Sequence, residues 1–315
     1  MLDRRSVLAF KTEGTAGTAE ALTQAEVPAL NIFNAALTPD ISADGGDDAL
    51  AGGGAGSTRT IMGAKKGKLS FETELFGTGT GGTPDPAYFT ALLAACGYVE
   101  TANAYAPTLL TPDAPTSAAK TLTFGLYQDG LFTTLHGCMG TAKIKLSAGR
   151  VVRVAWEFSG IYGTPTDVAV LNPGVQTLAP LYWRAGTCTI GGTAVKVSTM
   201  EIDLGNEIYL REDPSTPSGY YMASIVDMKP GGTLDPERVL VATTNRQSQW
   251  LAHTEQALSV ALGTGAGNIV TLTAPKFQLV NVQPGARGKM AVDNLSFRLN
   301  RGVAAGNDHL GITFS

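Results

Sequence analysis

The chain has 315 residues and a formal net charge of −4 at pH 7, and 16% of its residues are charged. That length can hold two domains, and the low charge content excludes a charge-rich disordered chain or a coiled coil. A net charge so close to neutral gives no indication of the basic surface with which proteins bind nucleic-acid phosphates. Short runs rich in threonine, valine, glycine and alanine predict a mainly β fold.

The first predicted domain, residues 1–164, places one helix among strands. Asp85 can cap the helix, Pro86 suits its first position, and Gly97 can end it. Cys96 lies on its apolar face, where we expect a core residue. Alternating runs predict strands at residues 6–12, 31–37, 68–75, 121–127, 131–136, 141–147 and 150–158.

Residues 38–60 interrupt this pattern with a segment that has no apolar periodicity. It combines four aspartates with a run of glycine and alanine, which predicts a long mobile loop. Loops of this length in compact domains are usually either functional or disordered.

A connector over residues 165–180 carries Pro165, Pro173 and Pro180, which disfavour both helix and central strand. The second predicted domain, residues 181–315, has a helix start at Asp235-Pro236. Its predicted strands lie at residues 195–204, 206–211, 220–228, 257–262, 268–273, 275–282 and 288–299.

The two halves match each other. Gly-Gly-Thr-Pro-Asp-Pro from Gly81 recurs as Gly-Gly-Thr-Leu-Asp-Pro from Gly231, and the order of predicted elements around each copy agrees. A duplicated domain indicates a quasi-symmetric building block, because a catalyst needs only one site.

Motifs for chemistry are weak throughout. Gly77 to Gly82 satisfies G-x-G-x-x-G, but the β surroundings do not supply the helix that a dinucleotide fold requires. The histidines, His136, His253 and His309, are far apart, and His136 near Cys138 is better explained by a strand end beside a buried thiol than by a metal. We therefore expect no enzyme activity, no cofactor and no metal site.

Acidic residues cluster in one predicted β region. Glu201 and Asp203 are two residues apart, so they share one face of a strand, and Glu207 follows closely. We interpret this cluster as a solvated anionic face, and a calcium site is the alternative.

Three unpaired cysteines favour folding in a reducing cytoplasm. Arg4 and Arg5 look like part of a twin-arginine export signal, but Lys11 and Glu13 interrupt the apolar stretch that such a signal needs, so we expect no export. No run approaches the roughly 20 apolar residues of a membrane span, so we expect no membrane partner.

Several segments resemble the major tail tube proteins of long-tailed bacteriophages, and the resemblance spans almost the whole chain. They are Leu-Leu-Ala-Ala-Cys-Gly from Leu92, His-Gly-Cys-Met-Gly from His136, Trp-Glu-Phe-Ser-Gly from Trp156, Ile-Asp-Leu-Gly-Asn-Glu from Ile202 and Gly-Asn-Ile-Val-Thr-Leu-Thr-Ala-Pro from Gly267.

The resemblance implies a β-sandwich or barrel unit with one flanking α-helix, and the internal repeat places two such units in tandem, which departs from the commoner single-unit tube protein. Six such units form a ring, rings stack into a tube, and DNA crosses the lumen at ejection without specific binding. Since one chain would supply two units, we expect three chains per ring. The implied partners are further copies of the chain and the tape measure, tail terminator and distal tail proteins. The implied location is the virion tail, after synthesis in the host cytoplasm.

An inner wall that DNA slides along should be acidic, because like charges repel phosphates. The lumen candidates are Glu201, Asp203 and Glu207, followed by Asp129 and Glu157. For contact between rings, opposite charges in and beside the long loop are the candidates. They are Asp40, Asp44, Asp47, Asp48, Arg59, Lys65, Lys66 and Lys68.

Two alternatives remain at this point. A tail-tip or baseplate component could have the same fold, and a β-sandwich carbohydrate-binding or adhesin module is possible from the β pattern alone. The latter would need an exposed aromatic platform, whereas Trp156, Trp183 and Trp250 lie apart in the sequence.

Overall fold

The computed structural model describes residues 6–44, 59–80, 87–108, 120–304 and 306–315. In this part of the chain there are 19 β-strands and two α-helices, which confirms the mainly β prediction. The helices are α1 (Ala87–Ala95) and α2 (Arg246–Leu251). The strands are β1 (Ser6–Thr12), β2 (Ile32–Asp44), β3 (Ile61–Glu74), β4 (Tyr98–Thr101), β5 (Ala104–Pro107), β6 (Leu122–Gln128), β7 (Leu131–Ser147), β8 (Arg153–Tyr162), β9 (Thr166–Asp167), β10 (Thr187–Ile190), β11 (Thr193–Ala194), β12 (Val197–Asp203), β13 (Asn206–Glu212), β14 (Tyr220–Met228), β15 (Gly231–Pro236), β16 (Glu255–Leu262), β17 (Val270–Arg287), β18 (Met290–Asn300) and β19 (Gly311–Phe314).

The two halves of the chain repeat one strand order. In the first half the antiparallel pairings run β1-β6-β7-β8-β3-β2. In the second half they run β10-β16-β17-β18-β15-β12. Helix α1 follows β3 and helix α2 follows β15, so the helices also occupy matching places.

Two ladders cross from one half to the other. β12 pairs with β7, and β19 pairs with β5. One hydrophobic core cluster contains residues of both halves, among them Trp156 and Phe297. The division into domains at residues 164 and 181 therefore stays a prediction.

Alternation along the strands separates a core face from a polar face. On β8, Val154, Trp156 and Phe158 are buried, while Glu157 between them is exposed. Trp156 donates its indole N–H to Thr73 Oγ1 at 2.9 Å, so its polar edge is satisfied inside the core.

The strand pairings of the two halves are joined through β12 into one run of eight strands. In order, they are β2, β3, β8, β7, β12, β15, β18 and β17.

The segment expected to be a loop over residues 38–60 is partly strand. β2 continues to Asp44 and pairs with the start of β3, from Thr38 opposite Lys68 to Asp44 opposite Ile61. Pairing with β3 supplies hydrogen-bond partners along one edge of this stretch, although its side chains have no apolar period. We call residues 38–44 and 61–67 the arm.

The helix start expected at Asp235-Pro236 is wrong. Gly231–Pro236 is strand β15, and Asp235 does not cap a helix. Its carboxylate accepts from the backbone N–H groups of Ser198 and Thr199 and pairs with Arg287 at 3.2 Å. The second helix begins later, where Asn245 Oδ1 accepts from the Ser248 N–H. The other copy of this sequence match, residues 81–86, lies outside the described part of the chain.

Candidate functional site

The polar face of the eight-strand run is the first candidate surface. On β12 the buried side chains of Met200 and Ile202 flank Glu201, so Glu201 and Asp203 both lie on the opposite, polar face. Across the β7–β12 ladder, Asp203 is opposite Lys143 and Glu201 is opposite Lys145.

Acidic and basic groups alternate on this face. Lys143 Nζ lies 2.9 Å from Asp203 Oδ2, and Lys68 Nζ lies 3.5 Å from Glu157 Oε1. The hydrogen bond to Asp203, together with its charge, raises the pKa of Lys143. Each exposed pair contributes only about 0–1 kcal/mol to stability. Their main effect is to occupy the lysine ammonium groups.

Glu72 lies between two cations on the same face. Its carboxylate is 2.7 Å from Lys145 Nζ and 3.5 Å from Arg153 Nη1. The hydrogen bond from Lys145 is the largest cause that holds the pKa of Glu72 below its ordinary value. Glu72 was not among the predicted lumen residues. Its alternation with buried residues along β3, which it shares with Ser70, could have placed it on the polar face.

Glu207 lies apart from Glu201 and Asp203. It is on β13, which pairs with β14 in a separate two-stranded sheet, and its carboxylate lies 3.4 Å from Lys229 Nζ. Gly205 makes the bend between β12 and β13 with φ of 64°, a value that residues other than glycine rarely adopt. A Cβ there would lie 2.1 Å from the Lys229 carbonyl oxygen.

The geometry of a tight turn explains why an aspartate occurs at position 129. Asp129 occupies the tight turn between β6 and β7 with φ of 47°, and Gly130 follows with φ of 103°. Asp-Gly is a preferred pair for a two-residue hairpin turn. Asp129 lies before the first residue of β7, whereas Lys143 lies near its end, about 40 Å away along an extended strand.

The β13–β14 hairpin docks on the first half of the chain. Ala223 and Ile225 pack with Met139 in a small hydrophobic cluster. The Asn206 amide donates to the carbonyl oxygens of Cys96 at 2.8 Å and Gly140 at 2.9 Å. No sequence motif pointed to this contact between the halves.

The arm is the second candidate surface. Within it, Lys66 Nζ lies 3.3 Å from Asp40 Oδ2, and the Lys65 N–H donates to the Ser218 carbonyl at 2.9 Å. Arg59 is exposed just before β3. Among the other predicted inter-ring residues, Asp47, Asp48 and the side chain of Asp44 lie outside the described part of the chain.

A cleft of about 460 Å³ lies between the arm, the β13–β14 hairpin and the polar face. Both charge signs line it, including Asp40, Lys66, Lys68, Glu157 and Glu212.

The cysteines are core residues, His136 and His309 are partly buried, and His253 is exposed. Cys96, Cys138 and Cys188 are buried and free, which confirms the core position of Cys96. Burial lowers the pKa of His136 and of His309. Among the described residues, no group of three or more His, Cys, Asp or Glu side chains could hold a metal ion. No helix in the described ranges is long and apolar enough to cross a membrane.

A family model described as phage tail tube protein matches residues 3–308. The chain belongs to the phage tail tube protein family. This confirms the resemblance found in the sequence and makes the chain a structural component of a bacteriophage virion tail. Membership implies self-assembly and contact with other tail proteins. A search of the curated proteins found no match to this chain.

Proposed function

We propose that this tail tube protein forms rings of three chains with pseudo-sixfold symmetry, and that the rings stack into the conduit for DNA ejection. The observation that carries the proposal is the repeated six-strand order in the two halves. A chain with two equivalent units fills two positions of a six-position ring, so three chains close it.

The polar face of the eight-strand run is the proposed lumen wall. Glu201, Asp203 and Glu157 lie on it, and we propose that Glu207 and Asp129 sit nearer its margins. Because lysines also occur on this face, the acids have a specific task, which is to hold ammonium groups that would otherwise bind phosphates. DNA then meets paired charges and slides.

For stacking, we propose that the segment over residues 38–60 contacts the neighbouring ring. Asp47 and Asp48 supply negative charge there, and Arg59 and Lys65 supply positive charge. Head-to-tail stacking would bring such opposite charges together at every ring. The proposed partners at the tube ends and inside it are the tail terminator, distal tail and tape measure proteins, and the proposed place of synthesis is the host cytoplasm.

The main competing function is a tail-tip or baseplate component with the same fold. A carbohydrate-binding module is disfavoured because Trp156 and Trp183 are buried and Trp250 is half-buried with its N–H donated to Val280.

Electron microscopy of the concentrated, purified chain tests the proposal. A tube protein gives hollow filaments of variable length, whereas a tail-tip component gives single rings or short stacks. Monomers at every concentration would contradict both functions.

A further inference from the structure

We propose that a second copy of this chain docks edge to edge on the first, with β2 of one copy pairing with the end of β17 of the next. This contact repeats between chains the β12-to-β7 contact within one chain. The inference deepens the proposed ring and rests on it, since it names the strands and the register that join the chains.

The template for this contact between copies is the β12–β7 ladder, which joins the two halves of one chain. β12 pairs with the end of β7 over five residues, from Thr199 opposite Ser147 to Asp203 opposite Lys143. In the repeated strand order β12 matches β2, because each is the last strand of its half. In the same order β7 matches β17.

Residue equivalence on β17 follows from aligning the turn of the β7–β8 hairpin, where Lys145 is opposite Arg153, with the turn of the β17–β18 hairpin, where Gly285 is opposite Val292. Trp156 is opposite Phe71 on one side and Ala142 on the other. Leu295 is opposite Leu234 and Val282 in the same way. Ala142 therefore matches Val282, and residues 143–147 match residues 283–287.

Equivalence on β2 follows from a second pair of contacts. Ile202 is opposite Gly232, which faces Phe297, and Leu37 is opposite Leu69, which faces Phe158. Ile202 thus matches Leu37, and Asp203 matches Thr38. Since Asp203 lies opposite Lys143 within the chain, Thr38 of one copy is expected opposite Gln283 of the next.

Both edges are unpaired in the described part of a single chain. β2 has β3 as its one strand partner, and residues 283–287 of β17 pair with β18 alone. Such edges carry free N–H and C=O groups that accept another strand. Proteins usually protect an exposed edge with charged side chains. Ala36, Thr38, Gln283 and Gly285 instead carry no charge, Arg287 at the end of the five-residue stretch is charged, and Pro284 removes at most one donor.

Exposed apolar side chains lie beside both edges. Leu251 on α2 is 67% exposed and Val280 on β17 is 44% exposed, and the two elements are joined by the bond from Trp250 to the Val280 carbonyl. On the arm, Ile61 is 59% exposed and Met62 is 64% exposed. Within the chain, the β13–β14 hairpin buries Met139 beside the equivalent ladder. We expect the docking of a second copy to cover Leu251 and Val280 beside β17, and Ile61 and Met62 on the arm, as the hairpin covers Met139.

Disulfide trapping tests the register. The variant Thr38→Cys/Gln283→Cys places thiols on directly opposed antiparallel positions, where Cβ atoms lie about 4.5–5.5 Å apart and a small strand movement closes the bond. Lys143→Cys/Asp203→Cys is the matched control within one chain. Thr38→Cys/Lys289→Cys is the mismatched control, because Lys289 lies in the turn after Arg287, and Gln283 and Arg287 alone are about 13 Å apart along β17. The native cysteines are buried and do not compete.

After mild oxidation of the assembled protein, we expect Thr38→Cys/Gln283→Cys to give covalent dimers and trimers on a non-reducing gel, with trimer as the largest band. The Lys143→Cys/Asp203→Cys chain should link internally and stay monomeric, and the Lys289 control should remain unlinked. Rings that form normally but give no more product than the Lys289 control would overturn this contact and leave the ring intact. A closed product of six chains would support the contact and contradict three chains per ring. A chain that never assembles would overturn both.

Discussion

Glu13 is a buried carboxylate whose removal should cost more stability than that of any acidic group on the polar face. It is 4% exposed and lies where β1, β6 and β7 meet. Its two oxygens accept from the backbone N–H of Gly137 at 2.6 Å and of Gly17 at 2.8 Å. They also accept from the hydroxyls of Thr121 at 2.5 Å and Thr123 at 2.8 Å.

The expected cost of Glu13→Ala follows from those four donors. Net hydrogen bonds to charged groups contribute about 1.5–3 kcal/mol each, and the donors left unsatisfied in the core add a further penalty. Desolvation of the carboxylate, which the variant no longer pays, offsets part of the sum. We expect a loss of about 3–5 kcal/mol in the free energy of unfolding, a large share of the roughly 5–15 kcal/mol typical of a domain.

Urea unfolding of the unassembled chain, followed by tryptophan fluorescence, measures this loss. Glu20→Ala is the control, since Glu20 lies on the same connection but is more exposed and pairs with Lys11, so its loss should be far smaller. Glu13→Gln should fall between the two, because an amide offers one accepting oxygen where the carboxylate offers two. A change below about 1 kcal/mol for Glu13→Ala would refute the view that this network holds the three strands together.

Three further predictions concern the bend, the polar face and pH. Gly205→Ala should destabilise the chain by about 1–3 kcal/mol in urea unfolding, because a Cβ at a left-handed φ meets the Lys229 carbonyl. Gly192→Ala should cost less stability, because its Cβ would meet nothing within 4 Å. Equal losses of stability would show that the close contact is irrelevant. Asp203→Asn should lower the pKa of Lys143 toward its ordinary value in an NMR titration and slow genome ejection in a salt-dependent manner, and unchanged ejection would count against a lumen position. The pKa of Glu72 is lowered in the folded chain, so its contribution to stability is present above its unfolded pKa near 4.5 and is lost as pH falls through the folded value. Glu72→Gln should therefore weaken the fall in the free energy of unfolding at acid pH. An unchanged fall would contradict the pairing with Lys145.

Much of the strand pattern could be predicted from alternation, and the exceptions have identifiable causes. The strands expected at residues 131–136 and 141–147 are one strand, β7, because a bulge between His136 and Met139 carries the chain through Gly137 without ending the pairing with β8. The strands expected at residues 268–273 and 275–282 are likewise one strand, β17, which contains Pro275. β4, β5 and β19 were missed because each is only four residues long.

The candidate surfaces were predicted less completely, because period-two reasoning identifies residues that share a face and gives no information on the strands beside them. Glu201 and Asp203 do share the polar face. Their lysine neighbours on β7 follow from a ladder between the two halves, about 60 residues apart in sequence, and no local pattern encodes such a pairing. Glu207 was grouped with them by sequence proximity, and the bend at Gly205 separates it onto β13.

The mass of a single ring distinguishes three chains from six. Native mass spectrometry of rings released from purified tubes, read together with a cryo-electron microscopy map of the tube, counts both the chains and the structural units in each ring. We expect three chains and six equivalent β units around the lumen, with β2 of each chain beside β17 of the next. Six chains in a ring, or three chains whose halves do not occupy equivalent positions around the axis, would contradict this expectation.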